Sequence, residues 1–548
     1  MIVSDEIENK QIAKQYKELL QISYQTLSDG DKKLIRSAFD TAVHAHRNQR
    51  RKTGEPYVLH PINVAKIVAH EIGLDATSIA SALLHDVLED TDLKFKELEK
   101  LFGTGVAKIV EGLTKISRLS IESDISLQAE NFKKLLLTLN EDIRVIIIKI
   151  ADRLHNMQTL DAMTEEKQLK ISSETLYIYA PLAHRIGLYN IKTELEDLSF
   201  KYTEPDRFES IKNNIEESKE EQSSYIKSFS KIIKNALAEE ALEYSIKGRS
   251  KSIFSINRKM TRQNIPFEKV FDKFAIRVVY NSTHRNEKFL AWKIYSIVTD
   301  HFVPNPTRLR DWITSPKSNG YEALHITVMG PDNKWVEVQI RSERMNEIAE
   351  KGYAAHHKYK QGGQKDIGIE SWLDKLHEVL ENNAENPVDF VENFKLNLYA
   401  KEIFVFTPTG DIKSLPKGAT ALDFAFNIHT EIGMKTRGAR VNGKLVPLSR
   451  ALKSGEHVEI ITSENIKPTA NWLDFVQTSR AKSKIKSSLN EEKNRIAEDG
   501  RESLRRKLKH LKIKLNDKTT AYLLRHFNLN SSLDLFYRVG LGTIDNKQ

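Results

Sequence analysis

Apolar residues recur at intervals of three and four through most of the first 200 positions, in long segments broken at Asp29-Gly30, Thr53-Gly54-Glu55-Pro56 and Gly103-Thr104-Gly105. That period predicts an all-helical domain without strands. The most informative segment is Ala80 to Asp90, ASALLHDVLED. Read as one helix, it aligns Ala80, Leu83, Leu84, Val87 and Leu88 on a stripe that faces a core. His85, Asp86, Glu89 and Asp90 gather at the edge of the stripe, with His85 to Glu89 and Asp86 to Asp90 each four residues apart. Either solvent or a cation must meet so many ionisable groups. From about 205 to 245 the chain turns highly charged yet stays helical, as a connector or hinge does.

After Tyr244 the period shortens to two. Phe274 to Tyr280, Leu324 to Val328 and Trp335 to Arg341 alternate apolar and polar residues like half-buried strands, with helical periods between them. Short strands return from Ile403 to Thr462, divided by Thr409-Gly410, Lys417-Gly418, Asn442-Gly443 and Ser454-Gly455, in a length that suits a small β-grasp module. The last 80 residues are helical and rich in Lys and Arg, above all from Arg480 to Lys514. The expected organisation is multidomain α+β: a helical domain over 1–200, a helical connector over 201–245 and an α/β domain over 246–370. A helical linker over 371–399, the β-grasp module over 400–463 and a basic helical region over 464–548 follow.

Composition narrows the function. A chain of 548 residues exceeds what one core serves. Its 84 Lys and Arg against 75 Asp and Glu leave a net charge of +9, which favours anionic partners such as nucleotides or RNA. Cysteine is absent, so disulfides, thiolate metal sites and Cys nucleophiles are excluded and any metal falls to His and carboxylates. The start, MIVSDEIENKQ, lacks the apolar stretch of a signal peptide, and no run approaches the roughly 18 apolar residues of a membrane span. A cytoplasmic protein with no membrane association is expected.

Two constellations carry chemistry. His60 stands in YVLHPINVAKIV at a helix start marked by Pro61, and Asp152 stands in IIIKIADRLHNM, whose Ile146, Ile147, Ile150 and Leu154 should be buried. An Asp beside so apolar a run caps, pairs with Arg153 or binds metal. His60, His85, Asp86 and Asp152 together offer two imidazoles and two carboxylates, a set that suits Mn²⁺, Fe²⁺ or Zn²⁺ with a position left for water. In the second, GRSKSIFSINRKM from Gly248 to Met260 places Arg249, Lys251, Arg258 and Lys259 around small serines at a glycine-led turn entering a helix, a natural phosphate cradle. Asp272 lies just before one strand, and Glu337 shares a polar strand face with Gln339 and Arg341.

The order His, His-Asp and distant Asp is similar to the HD superfamily of metal-dependent phosphohydrolases. The wider strings RKTGEPYVLHP, LLHDVLEDT and KIADRLHNMQTL resemble the hydrolase domain of the RelA/SpoT homologue family, whose members make and destroy the alarmone (p)ppGpp. The resemblance implies Mn²⁺ on His60, His85, Asp86 and Asp152, acid/base work by Glu89 and Asp90, and nucleotide contacts from Arg51, Lys52, Asn156 and Thr159. The second constellation resembles the family's synthetase domain, a nucleotidyltransferase-like fold. There the likeness implies ATP contacts from Arg249, Lys251, Ser255, Lys259 and Arg277, Mg²⁺ on Asp272, and activation of the acceptor 3′-hydroxyl by Glu337. RLRDWITSPKSNGYEALH matches the acceptor loop, which implies Arg308, Arg310, Lys317, Asn319, His325, Gln339 and Arg341 around GDP or GTP, with Tyr321 stacked on guanine.

Two departures stand out. Ser252 occupies a position where many members carry histidine, and Arg308-Leu309-Arg310-Asp311 resembles the basic RxKD form of bifunctional members with Arg for Lys. The segment from Ile403 to Thr462 resembles the TGS domain, with His429 at a position implicated in contact with the 3′ end of tRNA, and the basic region after it suits RNA. The likeness ends at Gln548, before the zinc-finger and ACT modules of longer members. The expectation is a bifunctional enzyme that transfers pyrophosphate from ATP to GDP or GTP and hydrolyses the product, with ribosome and uncharged tRNA as further partners. The connector, TGS and basic regions would bias it between opposed states. The alternatives are a hydrolase-dominant enzyme with a weak synthetase, and a non-enzymatic ribosome- or tRNA-binding stress sensor.

Overall fold

The computed structural model describes residues 2–23, 27–117, 142–238, 240, 242–270, 273–317, 320–352, 402–409, 411–529 and 531–544. The linker expected at 371–399 lies outside these residues, as do Asp272 and Asn319. The chain divides into two compact units, Met1–Leu380 and Glu381–Gln548.

The first part of the first unit is helical, as its apolar period predicts. Helix Ile143–Gln158 runs through the core with Val145, Ile146, Ile147, Ile150, Ala151, Leu154 and Met157 all buried. Helix Leu59–Lys66 carries His60 in its first turn beside Pro61, where a missing N–H costs no helical bond. Ala80 to Asp90 departs from expectation: it is two helices, Ala76–Leu83 and Val87–Asp90, joined by a turn at 84–86. The His85 side chain explains the break. Its Nδ1 donates to the Ala82 carbonyl at 2.8 Å, the group that the Asp86 N–H would reach in an unbroken helix. His85 is consequently buried while Glu89 is exposed, so the expected shared face does not form.

The second part of this unit holds a five-stranded sheet: β1 (Tyr244–Ser250), β2 (Phe274–Tyr280), β3 (Arg310–Asp311), β4 (Leu324–Met329) and β5 (Trp335–Ser342), in the order β1-β2-β5-β4-β3. The β2–β5 pair is parallel and the others are antiparallel. Helices Lys219–Ala238 and Glu287–His301 supply Phe229, Ile233, Ile294 and Val298 to the core that packs on Ile276, Val278, Ile326 and Val338. The charged segment read as a connector thus contributes a core helix. Gly248 corrects another expectation, because it lies inside β1 rather than in a turn. Its missing side chain lets Ile226 approach, since a Cβ there would stand 2.8 Å from Ile226 Cγ2. Helix Ile253–Gln263 then starts from Ser252, whose Oγ accepts the Ser255 N–H at 3.2 Å.

The helical and sheet parts are pressed together. Asp197 Oδ1 accepts the Phe254 N–H at 2.8 Å, and a Cβ on Gly352 would stand 2.7 Å from the Ile186 carbonyl oxygen.

In the second unit, strands β6 (Glu402–Phe406) and β7 (Ile412–Pro416) form a hairpin and β8 (Thr436–Val441), β9 (Lys444–Val446) and β10 (Val458–Thr462) a three-stranded sheet, with helix Ala421–Ile428 packed on them through Phe424. Helices Ser479–His510 and Ser532–Gly540 cross at Gly500 and Gly540, where a Cβ on Gly500 would meet the Phe536 carbonyl at 2.0 Å.

Candidate functional site

In the helical part, His60, His85 and Asp152 bring ligating atoms within 4.8 Å of one another, all buried. His60 Nε2 lies 3.1 Å from Asp152 Oδ1, and His85 Nε2 lies 2.9 Å from Asp86 Oδ2 and 3.9 Å from Asp152 Oδ1. Because His85 Nδ1 donates to a carbonyl, its buried Nε2 is the nitrogen aimed at these oxygens. Lone pairs of nitrogen and oxygen crowded this closely repel unless a proton or a metal cation lies among them. Two imidazoles and two carboxylates fit a divalent metal with N/O preference. Without one, burial works against the His85 imidazolium, but Asp86 and Asp152 outweigh it and raise its pKa to about 9.

The surroundings tune these groups. Burial would raise the Asp152 carboxyl, yet the Lys149 ammonium, at 2.8 Å from Oδ2, holds it well below the usual range. Asn156 Nδ2 donates to Asp152 Oδ1 at 2.7 Å. Arg153, a candidate partner for Asp152, turns away to Glu174 at 3.4 Å and to the Tyr179 ring. Tyr57 donates to Asp86 Oδ2 at 2.6 Å. Burial, and next the Asp86 charge, raise the Asp90 carboxyl. Arg51 Nη2 donates to Asn156 Oδ1 at 3.0 Å and Thr159 Oγ1 at 3.2 Å, so three expected nucleotide residues meet, while Lys52 is exposed.

On the sheet, the second constellation closes into a ring. Gln339 Nε2 donates to Glu337 Oε1 at 2.7 Å, Arg341 Nη2 donates to Gln339 Oε1 and to the Tyr321 hydroxyl at 3.2 Å, and that hydroxyl lies 2.8 Å from His325 Nε2. His325 Nδ1 returns to Glu337 Oε1 at 3.5 Å, and Lys251 Nζ lies 3.8 Å from Glu337 Oε2. Burial opposes the Glu337 charge, but His325 and Lys251 hold its carboxyl far below the usual range. Lys317 stacks its ammonium on Trp312 at 3.9 Å and Tyr321 at 4.7 Å. Burial lowers its pKa to about 8. Arg277 donates to Glu350 at 2.6 Å and Asn346 at 3.1 Å. The buried Nε atoms of Arg277 and Arg341 have no partner, as donors facing an anion would. Burial lowers the pKa of Arg249. Ser255 Oγ accepts from Ser252 Oγ at 2.9 Å, and Lys259 is half-buried on the same helix. Arg308 and Arg310 are exposed at the β3 edge, where Arg310 donates to the Thr307 and Leu309 carbonyls.

In the second unit, His429 does not sit within a helix: it is exposed between two, with extended backbone, and its Nδ1 accepts the Glu431 N–H at 3.3 Å.

Tyr57, Lys149, His155, Trp312 and Glu350 were not singled out from sequence. Lys149 and His155 lie three residues either side of Asp152 on one helix, a spacing that could have flagged both.

An HD domain matches residues 38–189, a region found in RelA/SpoT proteins 248–364, a TGS domain 403–462 and a RelA/SpoT AH domain 489–548. The helical part therefore belongs to the HD class, for which a divalent metal is implied, and the sheet part to the RelA/SpoT class. Over 495 residues the chain is 43% identical to a GTP pyrophosphokinase of Myxococcus xanthus, covering 89% of this chain and 64% of that one. Over 475 residues it is 45% identical to a guanosine-3′,5′-bis(diphosphate) 3′-pyrophosphohydrolase of Aquifex aeolicus, covering 86% and 67%. Over 537 residues it is 40% identical to the bifunctional (p)ppGpp synthase/hydrolase SpoT of Escherichia coli K12, covering 96% and 75%. The chain belongs to the RelA/SpoT family. It spans between three fifths and three quarters of the length of these curated relatives.

Proposed function

We propose that this chain is a bifunctional alarmone enzyme, which transfers pyrophosphate from ATP to the 3′-hydroxyl of GDP or GTP and hydrolyses (p)ppGpp to GDP or GTP and pyrophosphate. The observation that carries the hydrolytic half is the convergence of the buried His60 Nε2, His85 Nε2 and Asp152 Oδ1 within the HD domain. His60, His85, Asp86 and Asp152 hold Mn²⁺, which when bound lowers the pKa of water and neutralises phosphate charge. Glu89 and Asp90, on the turn after Asp86, handle the proton, and Asp90 suits this with its raised carboxyl. Arg51, Lys52, Asn156 and Thr159 hold the nucleotide.

In the synthetic half, Arg249, Lys251, Ser255, Lys259 and Arg277 bind ATP, and Asp272 takes Mg²⁺. Glu337, held ionised by its neighbours, accepts the proton of the acceptor hydroxyl. Lys317, Asn319, His325, Gln339, Arg341, Arg308 and Arg310 surround the acceptor, and Tyr321 stacks on guanine. The TGS domain and basic helices are proposed to meet the ribosome and uncharged tRNA, with exposed His429 at the contact. A cytoplasmic location suits these substrates.

A hydrolase-dominant state finds support at one residue. Tyr321 is only 8% exposed: Tyr189 of the helical part meets it in a T-shaped contact and the Lys317 ammonium lies over its ring, so the platform is covered in this state.

Nucleotide turnover by the purified chain, resolved by chromatography, tests the proposal. With ATP and GDP it should yield AMP and ppGpp, and with ppGpp and Mn²⁺ it should yield GDP and pyrophosphate. Glu337→Ala should abolish only the first and Asp86→Ala only the second. Retention of both activities by both variants contradicts the assignment.

A further inference from the structure

We propose that His155 is a positioning residue, which fixes the tautomer of His60 and links it to the nucleotide-binding Arg51. The proposal rests on the reading of His60 as a metal ligand. His155 Nδ1 lies 2.8 Å from His60 Nδ1 and 3.2 Å from Arg51 Nη1. A guanidinium can only donate. His155 Nδ1 is therefore an acceptor, and the proton in its short contact with His60 must sit on His60 Nδ1. That choice leaves the His60 Nε2 lone pair free, directed at Asp152 Oδ1 3.1 Å away among the other ligating atoms. With the opposite tautomer, an N–H would occupy the position that a metal needs.

The same contacts close a loop. Arg51 donates to Asn156, Asn156 donates to Asp152 Oδ1, Asp152 faces His60, and His60 donates to His155, which also accepts from Arg51. His155 is 7% exposed and lines a cavity of about 430 Å³ together with Asn63, Lys66, Glu71 and Thr159. Its imidazole thus stands between a cavity of nucleotide size and a metal ligand. An Arg51 that turns toward a phosphate changes what His155 accepts, so nucleotide binding reaches His60 through one side chain.

Two substitutions separate the acceptor from the bulk. His155→Asn puts Oδ1 near the place of Nδ1 and keeps an acceptor, whereas His155→Leu fills the space without one. Mn²⁺ affinity of the full chain, stripped with chelator and titrated by calorimetry, is the readout, with thermal melts alongside. His155→Leu should weaken Mn²⁺ binding by about 10- to 100-fold, the usual cost of losing a group that orients a metal-binding histidine, and His155→Asn should recover most of it. A Leu variant that binds as tightly as the parent, or an Asn variant that loses as much as Leu, overturns the proposal. Imidazole ¹⁵N shifts of the metal-free parent give an answer that needs no variant fold: His60 should carry its proton on Nδ1 and His155 on Nε2, and the reverse pattern overturns the proposal. A parent chain that binds no Mn²⁺ defeats the metal-site reading and this proposal together. Tight binding by the parent with an indifferent Leu variant defeats this proposal alone.

Discussion

The ring of Tyr189, at the start of helix Tyr189–Thr203, meets the ring of Tyr321 edge-on with centroids 5.5 Å apart. One residue belongs to the helical part and the other to the expected purine platform of the sheet part. An aromatic pair of this kind is worth about 0.5–1.5 kcal/mol, so a purine must offset that much to take the place of Tyr189. Tyr189→Ala should lower the KM for GDP in synthesis by up to about tenfold, at one factor of ten per roughly 1.4 kcal/mol. Steady-state kinetics with ATP in excess check this, and an unchanged KM would show that the contact does not gate the site.

Gly352 reports on the same apposition of the two parts. It holds φ +58°, and a Cβ would stand 2.7 Å from backbone atoms of Ile186 and Gly187, where nothing flexible can yield. Gly352→Ala should cost about 1–3 kcal/mol through strain and overpacking. It should also raise synthesis relative to hydrolysis, because it forces the parts away from each other. Denaturant unfolding and paired activity assays measure the two effects.

Much of this arrangement was legible in the residues, and the exceptions have physical causes. Period alone separates the helical from the sheet part, since the burial of Ile146, Ile150 and Leu154 on one side and of Val336, Val338 and Ile340 on the other follows from it. The break at 84–86 was not legible, because it depends on His85 competing for a backbone carbonyl, which no apolar period records. Lys219–Ala238 read as a connector because its charges dominate the composition, although Phe229 and Ile233 sit at core spacing. Of the expected metal residues, His60, His85 and Asp152 come together, with Asp86 joined through His85. Tyr189 carries no signal in the sequence because its partner is 132 positions away, and only the fold brings the two together.

Tyr57 steadies Asp86 through a 2.6 Å hydrogen bond to Oδ2. Tyr57→Phe keeps the ring against His60 but removes that donor. Losing one such outer bond should weaken Mn²⁺ affinity or hydrolysis by about 10- to 100-fold, with little change in synthesis. Equal loss of both activities would instead mark a folding defect, which a thermal melt would reveal.

Lys317 should give synthesis a signature in pH. Burial lowers its pKa to about 8 from the ordinary 10.5. Below about 8 the ammonium is present in folded and unfolded chains alike. Between there and 10.5 the unfolded chain holds a proton that the folded chain has released, so this group makes stability rise with pH across that window. Acceptor binding should move the other way if Lys317 faces the nucleotide as proposed, because its cation is then lost: the KM for GDP should climb severalfold above pH 8, and Lys317→Arg should flatten the climb. Identical profiles for parent and variant would assign the pH dependence to another group.

The metal centre is tested most directly by following ppGpp hydrolysis in one preparation through chelation, Mn²⁺ reconstitution and the Asp152→Ala substitution, with synthesis measured alongside. Chelation should abolish the release of pyrophosphate, Mn²⁺ should restore it, and Asp152→Ala should remove it while AMP and ppGpp are still formed from ATP and GDP. Hydrolysis that survives chelation, or that persists in Asp152→Ala at the parent rate, contradicts the assignment of His60, His85, Asp86 and Asp152 as the metal-holding set.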